Sequence, residues 1–173
     1  MLPPGHLLVG YLPYSLARRL RGQRPTDTGA LALAVGTQFP DLVDKTFRWI
    51  VPILPSGRSF GHSLLVFTVL AAGLLVLARR RERVREWTAF CFGVVSHQVV
   101  DAVDPVLQGA PQDARFLAWP LTSPVYYADD SLLAQIQSFD LSTLVVVDLA
   151  AGLLVIGLWI ADGMPGLPRR RSE

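Results

Sequence analysis

Cysteine is almost missing from this 173-residue chain: Cys91 stands alone, which excludes an internal disulfide. Lysine is as scarce, with Lys45 set against fifteen arginines. Histidine occurs three times, as His6, His62 and His97. A basic leader is lacking too. The start reads Met1-Leu-Pro-Pro-Gly-His6, so no cleavable signal peptide is expected. The formal charge of +2 is small as a total, and no nucleic-acid partner is expected. What is plentiful is apolar. Hydrophobic residues make up 51% of the chain and mean hydropathy is +0.37, high for a soluble protein and right for a small polytopic membrane protein. At this length residues 1–173 are expected to form a single membrane-embedded domain.

Five apolar stretches can be drawn, over residues 5–20, 28–44, 61–78, 87–107 and 141–160. A spanning helix needs ~20 apolar residues. The third, fourth and fifth read as spans. The first, interrupted by Pro13, and the second, which ends in Pro40-Asp41, read as short, tilted or partly re-entrant. The expected fold is therefore all-α: an integral membrane bundle of about five helices, a multi-pass protein of the cell membrane. Arginines orient it. Arg18, Arg19, Arg21 and Arg24 lie between the first two stretches, Arg79, Arg80, Arg81, Arg83 and Arg85 between the third and fourth, and Arg169, Arg170 and Arg171 at the end. With five spans these twelve share one side, against Lys45, Arg48, Arg58 and Arg115 on the other. The positive-inside rule places the twelve in the cytoplasm, the N-terminus outside and the C-terminus inside.

That topology gathers the polar clusters on the outer side. His6 opens the first stretch, Asp41 and Asp44 close the second, and His62 opens the third. At 1.5 Å per residue His97 lies ~15 Å and Asp101 ~21 Å along the fourth, in its outer half. Residues 108–140 form a long outer loop with Pro111, Pro120, Pro124, Trp119, Tyr126 and Tyr127. It reads either as a lid or as an interfacial loop.

Imidazoles and carboxylates are costly in lipid unless they pair, bind metal or line a watery cavity. His97 and Asp101 are spaced i, i+4 and share a helix face, so both can reach one ion or simply bond each other. Asp41 and Asp44, at i, i+3, face one way if the helix continues, but Pro40 argues for a break, with Asp41 capping a new helix start. His62 at a helix mouth and His6 near the terminus read as ligands or as surface residues. Three histidines with two or three aspartates suit zinc, with manganese or iron as the other candidates. The chemistry such a site supports is a metal-activated water attacking an ester or phosphoester. Arg58 and Ser59 are placed to hold a phosphate, unless Arg58 snorkels to headgroups. Asp148, a carboxylate inside the fifth stretch, is a candidate partner of a histidine or of a neighbouring helix.

The order of motifs resembles a known family. His6-Leu-Leu-Val-Gly10, Gly36-Thr-Gln-Phe-Pro40-Asp41, Gly61-His62-Ser63, Ser96-His97 followed by Asp101, and Trp119-Pro120 look like the YdjM-like membrane-bound metal-dependent hydrolases, over roughly residues 5–125. The resemblance implies a metal-dependent hydrolase with His6, Asp41, His62, His97 and Asp101 as metal-site positions. The helical His97–Asp101 pair is also similar to that of zinc-dependent phospholipases C, which implies a phosphoester or lipid substrate beside the bilayer. This chain departs from the family's Pro-Asp-x-Asp-His pattern with Pro40-Asp41-Leu-Val-Asp44-Lys45, which leaves one ligand fewer and favours a single metal. Asp44 and Asp148 remain as candidate catalytic residues, Asp44 as a general base. Two rival readings stand beside the enzyme. One is a membrane protein with a structural metal or buried polar site. The other is a metal or proton transporter with His97 and Asp148 on its path.

Overall fold

Helix α1 (Pro3–Arg19) begins with prolines in its first turn, where a missing N–H costs nothing. The computed structural model describes residues 2–126 and 143–167. Within them follow α2 (Asp27–Lys45), continued by a π-helical turn (Thr46–Ile50), α3 (Leu64–Arg80), α4 (Val84–Leu107), a 3-10 segment (Pro111–Ala118) and α5 (Thr143–Ala161). The described residues contain no strand. All-α is thus observed, in close register with the apolar stretches of the sequence. Tyr127 and the rest of the outer loop to Asp140 lie outside the described residues, as do Arg169, Arg170 and Arg171.

The prolines did not act as breaks. Helices run through Pro13, Pro40 and Pro105. The expected break before Asp41, with Asp41 as an N-cap, is therefore replaced by a continuous α2. Tertiary packing overrides the local cost of a helical proline here. The third stretch starts later than expected. Ser63 caps α3 by accepting the Val66 N–H at 3.1 Å. Gly61 and His62 are left outside the helix.

α4 is the hub, packed against α1, α2, α3 and the 3-10 segment. Its tightest crossing is with α2, at two glycines. A Cβ on Gly36 would lie 2.2 Å from the Phe90 carbonyl oxygen, and one on Gly93 would lie 2.5 Å from that of Leu33. Hydrogen side chains let the two backbones touch. Gly93→Leu is expected to push the helices apart at a cost of about 3 kcal/mol or more, the upper end for overpacking. Thermal unfolding of the purified protein in detergent checks this, and a melting point equal to wild type would contradict the crossing.

α5 lies along α1 in the same direction. Near its start the Asp148 carboxylate accepts the Leu2 N–H at 3.0 Å, and after its end Asp162 accepts from Tyr11 (2.9 Å), Ser15 (2.7 Å) and Arg19 (2.9 Å). Asp162 was not singled out from the sequence. It is fully buried and fastens the two helices.

The burial pattern is inverted relative to a water-soluble bundle. His62, His97, Asp44, Thr37 and Ser15 are fully buried, whereas Val69 and Leu153 are 73% exposed. On α3 alone Leu64, Leu65, Val69, Leu70, Leu74, Val76 and Leu77 face outward. In water those side chains would forgo on the order of 10 kcal/mol of burial. Lipid removes that cost. By length and composition one helix among the described residues, α4, can cross a membrane, with 24 residues and a mean hydropathy of 1.2. α3 has 17 residues and is ~25 Å long, and α5 has 19 and is ~28 Å long, against a ~30 Å hydrocarbon core. Among the described residues α4 meets this measure, and α3 falls short of it because its cap delays its start to Leu64.

Candidate metal centre

The chain reverses between α1 and α2 and between α3 and α4 at short connections, residues 20–26 and 81–83. Those turns carry the arginine clusters. The opposite ends of the same helices carry His6 in α1, Asp41 in α2, His62 just before α3, and His97 and Asp101 in the second half of α4. The five side chains expected to ligate metal are therefore neighbours in space. Two overlapping groups, His6–Asp41–His97 and His62–His97–Asp101, have ligand atoms within 4.8 Å of one another.

The facing atoms are Nε2 of each histidine and the carboxylate oxygens. His62 Nε2 is 3.2 Å from His97 Nε2, 3.3 Å from Asp101 Oδ2 and 3.5 Å from Asp41 Oδ1. His97 Nε2 is 3.8 Å from Asp101 Oδ2 and 3.9 Å from Asp41 Oδ1. His6 Nε2 is 3.5 Å from Asp101 Oδ1, and its ring stacks on His97 with centroids 3.8 Å apart. Ligands ~2.1 Å from one tetrahedral ion stand about 3.4 Å from each other. The pairs above fall near that spacing, within two overlapping groups of three that share His97.

Two tautomers follow from the partners. His97 Nδ1 lies 2.7 Å from the Thr37 carbonyl, which can only accept, so Nδ1 carries the hydrogen. His62 Nδ1 donates to Asp44 Oδ2 at 2.8 Å. When neutral, both rings turn the Nε2 lone pair towards the cluster, the form a metal requires. His6 Nδ1 is buried without a protein partner among the described residues. Burial alone would lower the His62 pKa, but Asp101, Asp41 and Asp44 outweigh it and hold it at about 10. Three carboxylates at 2.8–3.5 Å from the His62 ring favour positive charge in this pocket, which a divalent ion would supply. The residues fit a metal.

Asp44 stands behind His62 rather than among the converging atoms. Its Oδ2 accepts the main-chain N–H of Ser59 (2.7 Å) and of His62 (3.2 Å) besides the ring, and its Oδ1 accepts the Gly61 N–H (2.7 Å). The π turn and the loop after it bring residues 59–62 back onto the end of α2. Gln98 braces the same loop through the Gly61 carbonyl at 3.2 Å. Ser59 is spent within its own turn, its hydroxyl donating to the Ser56 carbonyl at 3.1 Å, so it is not placed to hold a phosphate. Asp148 does not join the cluster. Among the described residues no histidine pairs with it, and its observed partner is the first turn of α1.

Two contributors escaped the sequence reading. Thr37 acts through its carbonyl, which no motif reveals, although it sits inside Gly36-Thr-Gln-Phe-Pro40-Asp41. Phe116, fully buried, meets the His62 ring edge-on at 5.9 Å. Its only signal was membership of the outer loop. Lys45 pairs with Asp41 at 2.6 Å, and Arg58 with Asp101 at 2.9 Å. The near part of the loop is thus folded over the cluster, and Ser63 ties it down by donating to the Trp119 carbonyl.

The family model described as YdjM inner membrane protein matches residues 1–167. No curated protein and no solved structure matches the chain.

Proposed function

The chain belongs to the YdjM inner membrane protein family, and we propose that it is a single-domain, membrane-embedded, metal-dependent hydrolase. The observation that carries this reading is the meeting of three Nε2 atoms and two carboxylates in a buried pocket, in two overlapping groups that share His97, with neighbouring pairs 3.2–3.9 Å apart. His62, His97, Asp41 and Asp101 would hold the ion, with His6 as a fifth ligand, and zinc suits the donors best. The ion would supply Lewis acidity and a water acidified to near neutral pH.

The remaining roles belong to the chain itself. Asp44 keeps the His62 lone pair aimed, and the Thr37 carbonyl does the same for His97. With four N–H groups on its two oxygens, Asp44 has no capacity left for a substrate proton. The general-base role passes to Asp41, the most exposed of the site carboxylates, at 13%. Such a base contributes ~10²–10⁴-fold. Asp148 serves the start of α1 and not the reaction. The substrate is an ester or phosphoester of a lipid or of a solute beside it.

Metal analysis of the purified protein tests the reading. About one equivalent of a transition metal per chain is expected, together with chelator-sensitive hydrolysis of a phosphoester panel. Protein that stays metal-free after zinc reconstitution sinks it. A structural metal site is the second reading, favoured by the near-complete burial of all three histidines.

The arginine-rich turns and the cluster lie at opposite helix ends. The positive-inside rule then puts the turns in the cytoplasm and the cluster, with the N-terminus, outside. In a Cys91→Ser background, Gln112→Cys is expected to react with a membrane-impermeant maleimide on intact cells. Arg21→Cys should react only after permeabilisation. The reverse pattern inverts the topology.

A further inference from the structure

Two cations stand at the edge of the cluster, and they are placed alike. Lys45 binds Asp41 Oδ2 at 2.6 Å and lies 5.7 Å from the centre of the Trp49 ring. Arg58 binds Asp101 Oδ2 at 2.9 Å and lies 5.7 Å from the centre of the Phe116 ring. Each thus meets a carboxylate of the site and an aromatic face. Neither is sealed in: their side chains are 35% and 20% exposed, while the histidines they flank are at most 1% exposed. The sequence read Lys45 only as a departure from a family pattern, and Arg58 as a phosphate or headgroup contact.

Charge gives the pair a purpose. Asp41, Asp44 and Asp101 bring three negative charges and Lys45 and Arg58 return two. With neutral histidines the described site carries one net negative charge, and a divalent ion turns it to one net positive. A singly charged anion would neutralise it. A neutral ester would leave the charge standing in a low-dielectric setting, where it is costly.

We propose that Lys45 and Arg58 are specificity-determining cations that make the loaded site select a phosphate-type anion, a phosphodiester in a substrate, over a neutral ester. This rests on the metal-dependent reading above. The cations also hold Asp41 and Asp101 in place, but their charge opposes the ion and favours the anion, so the two ligands should respond with opposite signs when a cation is removed.

The experiment uses the full chain in detergent, loaded with cobalt as a spectroscopic probe. Inorganic phosphate is titrated against the cobalt absorption of wild type, Lys45→Met and Arg58→Met, and zinc affinity is measured separately by chelator competition. The expected result is phosphate affinity about tenfold weaker in each variant, with zinc affinity equal to or above wild type. Lys45→Arg and Arg58→Lys should restore most of the phosphate affinity. A short-chain phosphatidylglycerol is titrated in parallel. Tighter binding of that lipid than of phosphate identifies a lipid headgroup as the source, and equal binding identifies a soluble phosphate ester. Either supports the selection of an anion. Phosphate binding unchanged in both variants, or zinc and phosphate affinity falling together, overturns the proposal. So does a loaded wild type that binds neither anion. A wild type that takes up no metal fails earlier, and fails the metal reading itself.

Discussion

His97→Ala is expected to empty the metal site while leaving the bundle folded. His97 is the residue common to both groups of converging ligands. Its Nε2 faces His62, Asp41 and Asp101, and its ring stacks on His6. Losing a partner that merely orients a ligand costs ~10–100-fold in metal affinity. Losing this ligand should exceed that range, leave less than about a tenth of an equivalent of metal after purification, and stop hydrolysis. The same change leaves the Thr37 carbonyl without its His97 donor, which costs about 1–3 kcal/mol. A well-packed membrane bundle should survive that. Metal content, helical circular dichroism and thermal melting, measured on one preparation, separate the readings. Metal lost with a melt lowered by only a few degrees fits an enzyme. A protein that no longer inserts or folds without the ion fits a structural site. Full metal content in the variant would remove His97 from the ligand set.

Asp44→Asn should be nearly as damaging, although it changes one atom's chemistry and almost no volume. Asp44 Oδ2 accepts three N–H groups and Oδ1 accepts a fourth. An amide has one accepting oxygen. Whichever way it turns, its NH₂ meets N–H groups donor to donor. If the oxygen stays on His62, Gly61 is left facing an amide hydrogen. If it turns to Gly61, the His62 ring loses its acceptor and can present the wrong tautomer. Buried hydrogen bonds to a charged group are worth about 1.5–3 kcal/mol each, so the 59–62 turn should loosen. The expected outcome is a 10–100-fold loss of zinc affinity and a lower melting temperature in the metal-free protein too. The metal-free measurement matters, because the turn is held by Asp44 before any ion binds. Wild-type zinc affinity in Asp44→Asn would return Asp44 to the rank of an ordinary capping carboxylate.

Much of the candidate site was legible in the chain. Histidines are few, and each lies in a short polar cluster beside an apolar stretch. The i, i+4 spacing of His97 and Asp101 placed them on one helix face. Arginine counts alone predicted that the clusters and the basic turns lie at opposite ends, and the helix order observed here arranges them so. The helix ends were read to within three residues, α3 starting at Leu64 because Ser63 caps it and α4 at Val84. Pro40 misled. Its cost is local, whereas the contact of α2 with α4 at Gly36 and Gly93 is long-range, and the latter prevailed.

What the sequence determined by itself was therefore chemical inventory and polarity: which groups can ligate, which faces are apolar, and which ends are basic. These depend on residue identity and on the helix period. Only the tertiary structure decided roles. Asp44 and Asp41 are three residues apart and look equivalent in the chain, yet one is saturated by a returning loop and the other faces the cluster. Asp148 looked like a partner for a histidine, and its Oδ2 meets the Leu2 N–H at the start of α1. Thr37 takes part through a carbonyl that every residue possesses. Lys45 and Arg58 acquire meaning from the carboxylates and rings that meet them. The physical reason is common to all of these. A side chain's role is set by which donors and acceptors the fold brings within hydrogen-bonding distance, and those come from segments far apart in sequence.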